Sequence, residues 1–264
     1  QTWSKFGLFK HGGMDDYDYA WKVLSNHYKS IGSIDKWKGI EIGPGDGVLS
    51  SLLAPALGSI GLTLVDEGNF INISDNRYHD QINKFKNDFP ELVLPSYSNI
   101  NDVNQMLTLA GGSYHTEGLE SLKKLKTKTY DLIFSQAVLE HINVADFKEI
   151  MFEIHRLLKP DGKASHVIDF KDHLVGGLNN LRFSSIIWEK NWFASRSRFY
   201  TNRIRLSEMI KICESIGFNV KIIKEKKWQV APIKRKSLAK EFRELSDADL
   251  LISGAHLIIY KKKY

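Results

Sequence analysis

The stretch Glu41-Ile42-Gly43-Pro44-Gly45-Asp46-Gly47 constrains this chain more than any other. Its alternating glycines let the backbone turn tightly and come close to a ligand. An apolar strand, Gly39 to Gly43, runs into the turn, and Val48 to Leu57 leaves it as a helix. Ile60 to Asp66 is a second apolar strand that ends in acid. Strand, turn, helix, strand is a βαβ unit, which implies a parallel sheet. Amide N–H groups at such a helix start point at whatever sits there. In an open sheet this is the ligand edge.

The rest of the chain alternates in the same way. Residues 15–31 read as an amphipathic helix with Tyr17, Ala20, Leu24, Tyr28 and Ile31 on one face and Asp15 as N-cap. Segments 76–88 and 101–110 read as helices, and a third strand falls near Ser113–Thr116. The gap before that strand is long for one crossover, so part of it is an insertion. Tyr130 to Gln136 is a strand. Val144 to Leu158 is a helix with Val144, Phe147, Met151, Ile154 and Leu158 as its buried stripe and Asn143 as cap. Lys159-Pro160-Asp161-Gly162 reads as the turn that stops it, before a strand from Lys163 to Phe170. Arg205 to Ile216 is a helix closed by Gly217, and Phe218–Lys224 and Ala255–Tyr260 are late strands. The order argues one open, doubly wound α/β sheet.

Composition adds limits. The chain has 264 residues, 42% hydrophobic and 26% charged, which excludes intrinsic disorder and collagen-like classes. Its single cysteine, Cys213, forms neither an internal disulfide nor a thiolate zinc site, so a reducing, cytoplasmic setting is expected. The longest uncharged run, Val48 to Val65, is broken by Pro55, Gly58 and Gly61 and is not a transmembrane segment. No signal-peptide pattern is present, and Gln1 suggests a processed or trimmed start. The net charge of +6 is spread along the chain and favours anionic partners weakly.

The turn also narrows its ligand. A dinucleotide fingerprint needs a glycine at position 48, where this chain has Val. Glu41 and Asp46 would repel a pyrophosphate and attract an ammonium group. The pattern of an acid followed by Gly-x-Gly-x-Gly, at positions 41, 43, 45 and 47, resembles the first motif of class I S-adenosylmethionine-dependent methyltransferases. Tyr130 to His141 looks like that family's fourth strand and following loop, and His155 to Lys163 like the helix and turn before its fifth strand. The resemblance spans about residues 38–170. It implies a Rossmann-like, seven-stranded, mostly parallel sheet and S-adenosylmethionine as cofactor. It implies cofactor contacts at Glu41, Gly43, Gly45, Gly47, Asp66, Glu67, Ser135 and Gln136, with Asp66 holding the ribose hydroxyls. Glu117, Gly118 and Leu119 are the expected adenine stretch by their place before the fourth strand. The whole chain is then one domain: an N-terminal lid (1–37), a cofactor-binding core (38–170), an acceptor-side insertion (171–205) and a C-terminal helix with strands (206–264).

The acceptor side follows from the chemistry. Methyl transfer to a hydroxyl requires alignment and removal of a proton, and histidine is the natural base. His173, coupled to Asp169 at the end of the fifth strand, is the first choice and His141 the second, while His166 reads as a core residue. Asp169, Asp172 and His173 would also suit a divalent metal, an option not favoured here, so no metal ligand is assigned. Residues 174–205 are rich in aromatics and arginines against one acid, Glu189. Asp172, Arg182, Trp188, Arg196, Tyr200 and Arg203 are therefore assigned to the acceptor, an anionic glycan or small molecule. The runs Ser165–His173, Gly176-Gly177, Leu181-Arg182-Phe183, Tyr200–Arg205 and Phe242–Leu245 resemble methyltransferases associated with bacterial surface polysaccharides. This implies O-methylation of a sugar. Two alternatives stay open. One is methylation of nucleic acid or another small acceptor, although no RNA-binding module or Asn/Asp-Pro-Pro-aromatic motif is visible and nucleic acid is not favoured. The other is a cofactor-binding protein without catalysis. Oligomeric state is not readable.

Overall fold

The computed structural model describes residues 13–71, 77–173, 175–190 and 200–263. Seven strands form one mostly parallel sheet in the order β3-β2-β1-β4-β5-β7-β6. They are β1 (Lys38–Ile42), β2 (Gly61–Val65), β3 (Ser113–His115), β4 (Tyr130–Gln136), β5 (Leu158–Asp169), β6 (Phe218–Lys227) and β7 (Ile252–Lys261). The chain divides into two compact units, residues 1–136 with 156–164 and residues 137–155 with 165–264.

In the first unit, β1 pairs in parallel with β2, from Lys38 opposite Gly61 to Ile42 opposite Val65, and with β4 through Gly39 to Glu41. Every residue of β2 is buried, as a near-continuous apolar run in a parallel sheet requires. The helix expected over Val48–Leu57 is shorter. Helix α2 covers Leu49–Leu53, and a 3₁₀ turn takes Ala54–Leu57. Pro55 has no N–H for the α-helical ladder, and Gly58 closes the turn at φ +77°.

Helix α1 spans Tyr17–Ser30 and buries Ala20, Val23, Leu24, His27 and Tyr28. Its N-cap is Asp16, not Asp15: Asp16 accepts from the N–H groups of Asp18 and Tyr19 at 3.1 and 3.2 Å. Asp15 pairs instead with Arg77 at 2.5 Å. The insertion between β2 and β3 carries α3 (Arg77–Asp88) and α4 (Val103–Leu109), the latter capped by Asp102. Phe85 of α3 meets the Trp21 ring edge-on at 4.9 Å, and buried Tyr97 donates to the Leu52 carbonyl at 2.8 Å. The insertion is thus part of this unit's core.

The expected turn at Lys159–Gly162 is extended strand, because β5 begins at Leu158 directly after α5 (Val144–Leu157). Lys159 reaches Asp131 on β4 at 2.8 Å. A Cβ at Gly162 would sit 2.7 Å from the Tyr130 carbonyl, so this glycine serves a close strand approach rather than a turn. The buried stripe of α5 is also shifted: Val144 is 44% exposed, while Phe147, Met151, Ile154 and Leu157 are buried.

In the second unit, β6 and β7 pair antiparallel, with register shifts at Ile222/Lys224 and Lys226/Lys227. The helix Leu206–Ile216 ends at Gly217 in the left-handed region, φ +106°. A small core of Leu178, Leu181, Ile233, Leu238 and Leu250 is covered by Trp228, Phe242 and Leu245.

Candidate active site

The glycine turn is braced on several sides. The Gly43 N–H donates to the Val65 carbonyl at 2.8 Å, and the Gly45 N–H donates to Asp66 Oδ2 at 3.2 Å. Gly43 and Gly45 have φ near +70°, a conformation that favours glycine. A Cβ at Gly45 would meet nothing within 4 Å, whereas one at Gly47 would run into the Met14 carbonyl. Asp46 accepts from the N–H groups of Gly13 and Met14 at 3.4 and 3.0 Å, which ties the turn to the start of α1.

Two acids of this cradle are held off their ordinary ionisation. Glu41 is fully buried and accepts from the Ser50 hydroxyl of α2. Burial pushes its carboxyl up to about 7, against the opposing Ser50 hydrogen bond. Asp66 is pushed up to about 6 by burial, opposed by N–H donation from Glu67 and Gly45. Its two oxygens each take one backbone donor, at 2.8 Å from Glu67 and 3.2 Å from Gly45, and each keeps a second acceptor site. The Gly118 N–H donates to the Asp66 carbonyl at 2.8 Å, which brings the expected adenine stretch beside the acid. Glu67 is exposed and Leu119 half-buried. Glu117 points outward to an ion pair with Lys124, and that hydrogen bond holds its carboxyl below the ordinary range. Ser135 is fully buried, while Gln136 is half-buried at the end of β4.

Sequence reasoning missed two contributions from α1. His27 is buried, stacks on Phe134 at 4.9 Å and lies 3.3 Å from Gln136 Oε1 through Nε2. Its only sequence signal was its place on the apolar face of α1. The Tyr19 hydroxyl is pushed above its ordinary range by burial and then by the Glu41 and Asp46 carboxyls. The residues fit an S-adenosylmethionine amino-acid end and ribose: acids for an ammonium group, a carboxylate with spare acceptor sites for a diol, and open space over Gly45.

The second unit gathers the expected base. His141 and His173 are exposed, with ring centroids 4.8 Å apart and planes at 77°. His141 Nδ1 lies 3.2 Å from the Tyr200 carbonyl. A carbonyl only accepts, so Nδ1 is the donor in this contact. Asp169 ends β5, accepts from the Lys171 N–H at 3.0 Å and pairs with the Lys171 ammonium at 3.3 Å. Its own N–H donates to Glu140 Oε1 at 3.1 Å. Glu140 is buried, and burial pushes its carboxyl up to about 8. His166 is fully buried, as expected of a core residue, and burial then the neighbouring His256 push it down to about 3.

The acceptor residues separate into two groups. Asp172 is buried and accepts from the N–H groups of Val175 and Asn179 at 2.8 and 2.5 Å, so it organises its own loop. Trp188, Tyr200 and Arg203 turn inward instead of lining an open surface. Arg203 lies over the Trp188 ring at 5.2 Å and pairs with Glu189 at 3.1 Å. Tyr200 donates to the same Glu189 at 2.7 Å, and Trp188 to the Thr201 carbonyl at 2.8 Å. Arg182 is exposed, and Arg196 lies outside the described residues. Among the described residues no group of three His, Cys, Asp or Glu side chains is arranged to hold a metal ion, so Asp169, Asp172 and His173 do not form one. None of the helices among the described residues is long and apolar enough to cross a membrane.

Comparisons with known proteins agree with this fold. Residues 40–165 match a family model described as a methyltransferase domain. The chain is similar in fold to the YcgJ protein of Bacillus subtilis, at 14% identity and a TM-score of 0.50, covering 92% of this chain and 99% of that one. It is equally similar to phosphoethanolamine N-methyltransferase 2 of Haemonchus contortus with bound S-adenosylmethionine, at 14% identity and a TM-score of 0.50. That likeness covers 95% of this chain but only 57% of the longer enzyme. No curated protein matches the sequence significantly. The chain carries a methyltransferase domain within a Rossmann-like fold.

Proposed function

We propose that this methyltransferase acts on a hydroxyl of an anionic sugar, as in the cytoplasmic assembly of a bacterial surface polysaccharide. The observation that carries the reading is the pair His141 and His173, 4.8 Å apart in the loops after β4 and β5. Loops at the carboxyl ends of strands are where α/β sheets bind their ligands. The exposed Arg182 and Phe183 in the following segment suit an acidic, partly apolar acceptor.

S-adenosylmethionine, when bound, supplies an activated methyl group. Glu41 and Asp46 would favour its ammonium group electrostatically, and Asp66 would accept from its ribose hydroxyls. His173 or His141 would take the proton of the acceptor hydroxyl. The Tyr200 carbonyl accepts from Nδ1 of His141 at 3.2 Å and orients that ring. Incubating the full chain with labelled S-adenosylmethionine and a panel of uronic and phosphorylated sugars tests this reading. Methyl incorporation that disappears in the His141→Ala, His173→Ala double variant supports it. Incorporation only into nucleic acid, or full activity in the double variant, overturns it.

A further inference from the structure

The insertion between β2 and β3 carries a cavity that the glycine turn does not use. Its volume is about 210 Å³, and it is lined by His79, Ile82, Asn83, Lys86, Tyr97 and Ser98. The first four recur at the helical spacing i, i+3, i+4, i+7, so they share one face of α3. Other positions of α3 meet α1: Gln81 accepts from the Tyr17 N–H at 2.9 Å, and Phe85 packs on Trp21. The wall opposite α3 is also held. The Tyr97 hydroxyl is anchored on the Leu52 carbonyl, and the Ile100 N–H donates to the Tyr97 carbonyl at 3.0 Å. His79 Nε2 donates to the Ile100 carbonyl at 2.8 Å, which joins α3 to that wall.

The lining selects a class of ligand. It holds an ammonium group, an imidazole, an amide and a hydroxyl, with no carboxylate or thiol. A metal cation would find no anionic ligand here and would face Lys86. Among the described residues the Lys86 ammonium and the Asn83 amide have no hydrogen-bond or ion-pair partner, so their donors remain available. An ammonium group beside neutral donors favours a carboxylate or phosphate over an uncharged molecule. Ile82 and Tyr97 are buried and give the cavity an apolar side. A cavity of about 150 Å³ accepts benzene, so this one admits a body of that size carrying one charged group.

We propose that this cavity binds a small organic anion. Its carboxylate or phosphate group pairs with Lys86, with Asn83 and Ser98 as neutral donors, and its compact apolar body lies against Ile82 and Tyr97. None of the lining residues belongs to the glycine turn, to the acid end of β2 or to the histidine pair. The site thus uses no residue assigned to the expected cofactor or acceptor, and it does not rest on the choice of acceptor.

Benzoate and phenyl phosphate are the probes, and benzamide is the uncharged control. Nitrogen-15 spectra of the full chain, recorded without S-adenosylmethionine, follow each titration. Saturable shifts of the amides at 79–86 and 97–100 are expected with at least one of the two anions. A response to benzoate alone assigns a carboxylate ligand, and a response to phenyl phosphate alone assigns a phosphate. Benzamide should bind at least about tenfold more weakly, because it lacks the charge-assisted hydrogen bond. Lys86→Met keeps the aliphatic stem and should weaken anion binding by a similar factor. No saturable shift at these amides with either anion, equal affinity for benzamide, or unchanged affinity in folded Lys86→Met overturns the proposal. The wild-type titrations decide the matter if that variant does not fold.

Discussion

The Asp66 carboxylate accepts the Gly45 N–H at 3.2 Å, so the acid that ends β2 holds the turn that follows β1 in place. One residue thereby has two tasks: it fixes the local backbone and presents acceptor sites to a ligand. Burial raises its carboxyl to about 6, so its charge is lost in mildly acidic solution.

Asp66→Ala is expected to weaken S-adenosylmethionine binding by about 10- to 100-fold, the loss of hydrogen bonds to a charged group. In the wild type, affinity should fall as pH drops below about 6, because protonation removes acceptor capacity. Calorimetric titrations between pH 5 and 8 check both, and Asp66→Asn should flatten the profile. Undiminished affinity in Asp66→Ala would mean the ribose is held elsewhere.

Gly45 and Gly47 should fail in different ways when changed to alanine. At Gly47 the new Cβ strikes the Met14 carbonyl. Overpacking of this kind costs about 1–3 kcal/mol, and urea unfolding should register it. At Gly45 the Cβ has open space, but φ is +71°, which costs an L-residue about 1–2 kcal/mol. Its methyl group also projects into the cradle, so Gly45→Ala should remain folded and lose most of its cofactor affinity.

These glycines show what was legible in the sequence. The βαβ unit could be read because short-range rules govern it: apolar runs, glycines and a terminal acid. Features decided by distant partners could not be read. Asp15 and Asp16 are equivalent as caps until Arg77, far along the chain, engages Asp15. Pro160 and Gly162 look like a helix stop, yet Asp131 and the Tyr130 carbonyl make them part of a strand. Trp188, Tyr200 and Arg203 have the composition of a binding face, but Glu189 and Phe242 draw them inward. His27 carried no motif, and only the fold brings it to Gln136.

The imidazole pair makes a separable prediction. His173→Ala and His141→Ala should each leave cofactor affinity intact, because neither belongs to the glycine cradle. Removal of the base should lower turnover by about 10²- to 10⁴-fold. The larger loss identifies which ring takes the proton. Single-turnover assays on an accepted substrate compare them, and equal wild-type rates in both variants would remove the pair from the chemistry.

Glu140 gives the fold a pH dependence whose sign is fixed. Its folded carboxyl is raised by burial to about 8, against an ordinary value of 4.5. Between those limits the folded chain holds a proton that the unfolded chain has released. Its contribution to stability is therefore full below about pH 4.5 and is lost as pH rises toward 8. His166 acts in the opposite sense at lower pH. Burial depresses it to about 3, so its contribution grows as pH rises from 3 to its ordinary value of 6.5. The wild-type curve sums these and other groups, but the difference from Glu140→Gln isolates one. That variant cannot ionise at position 140, so its melting temperature should fall less than that of the wild type between pH 5 and 8. Thermal unfolding of both proteins across that range measures the difference. Parallel curves would mean that Glu140 is charged in the folded protein throughout, with its penalty of burial offset by the partners around it.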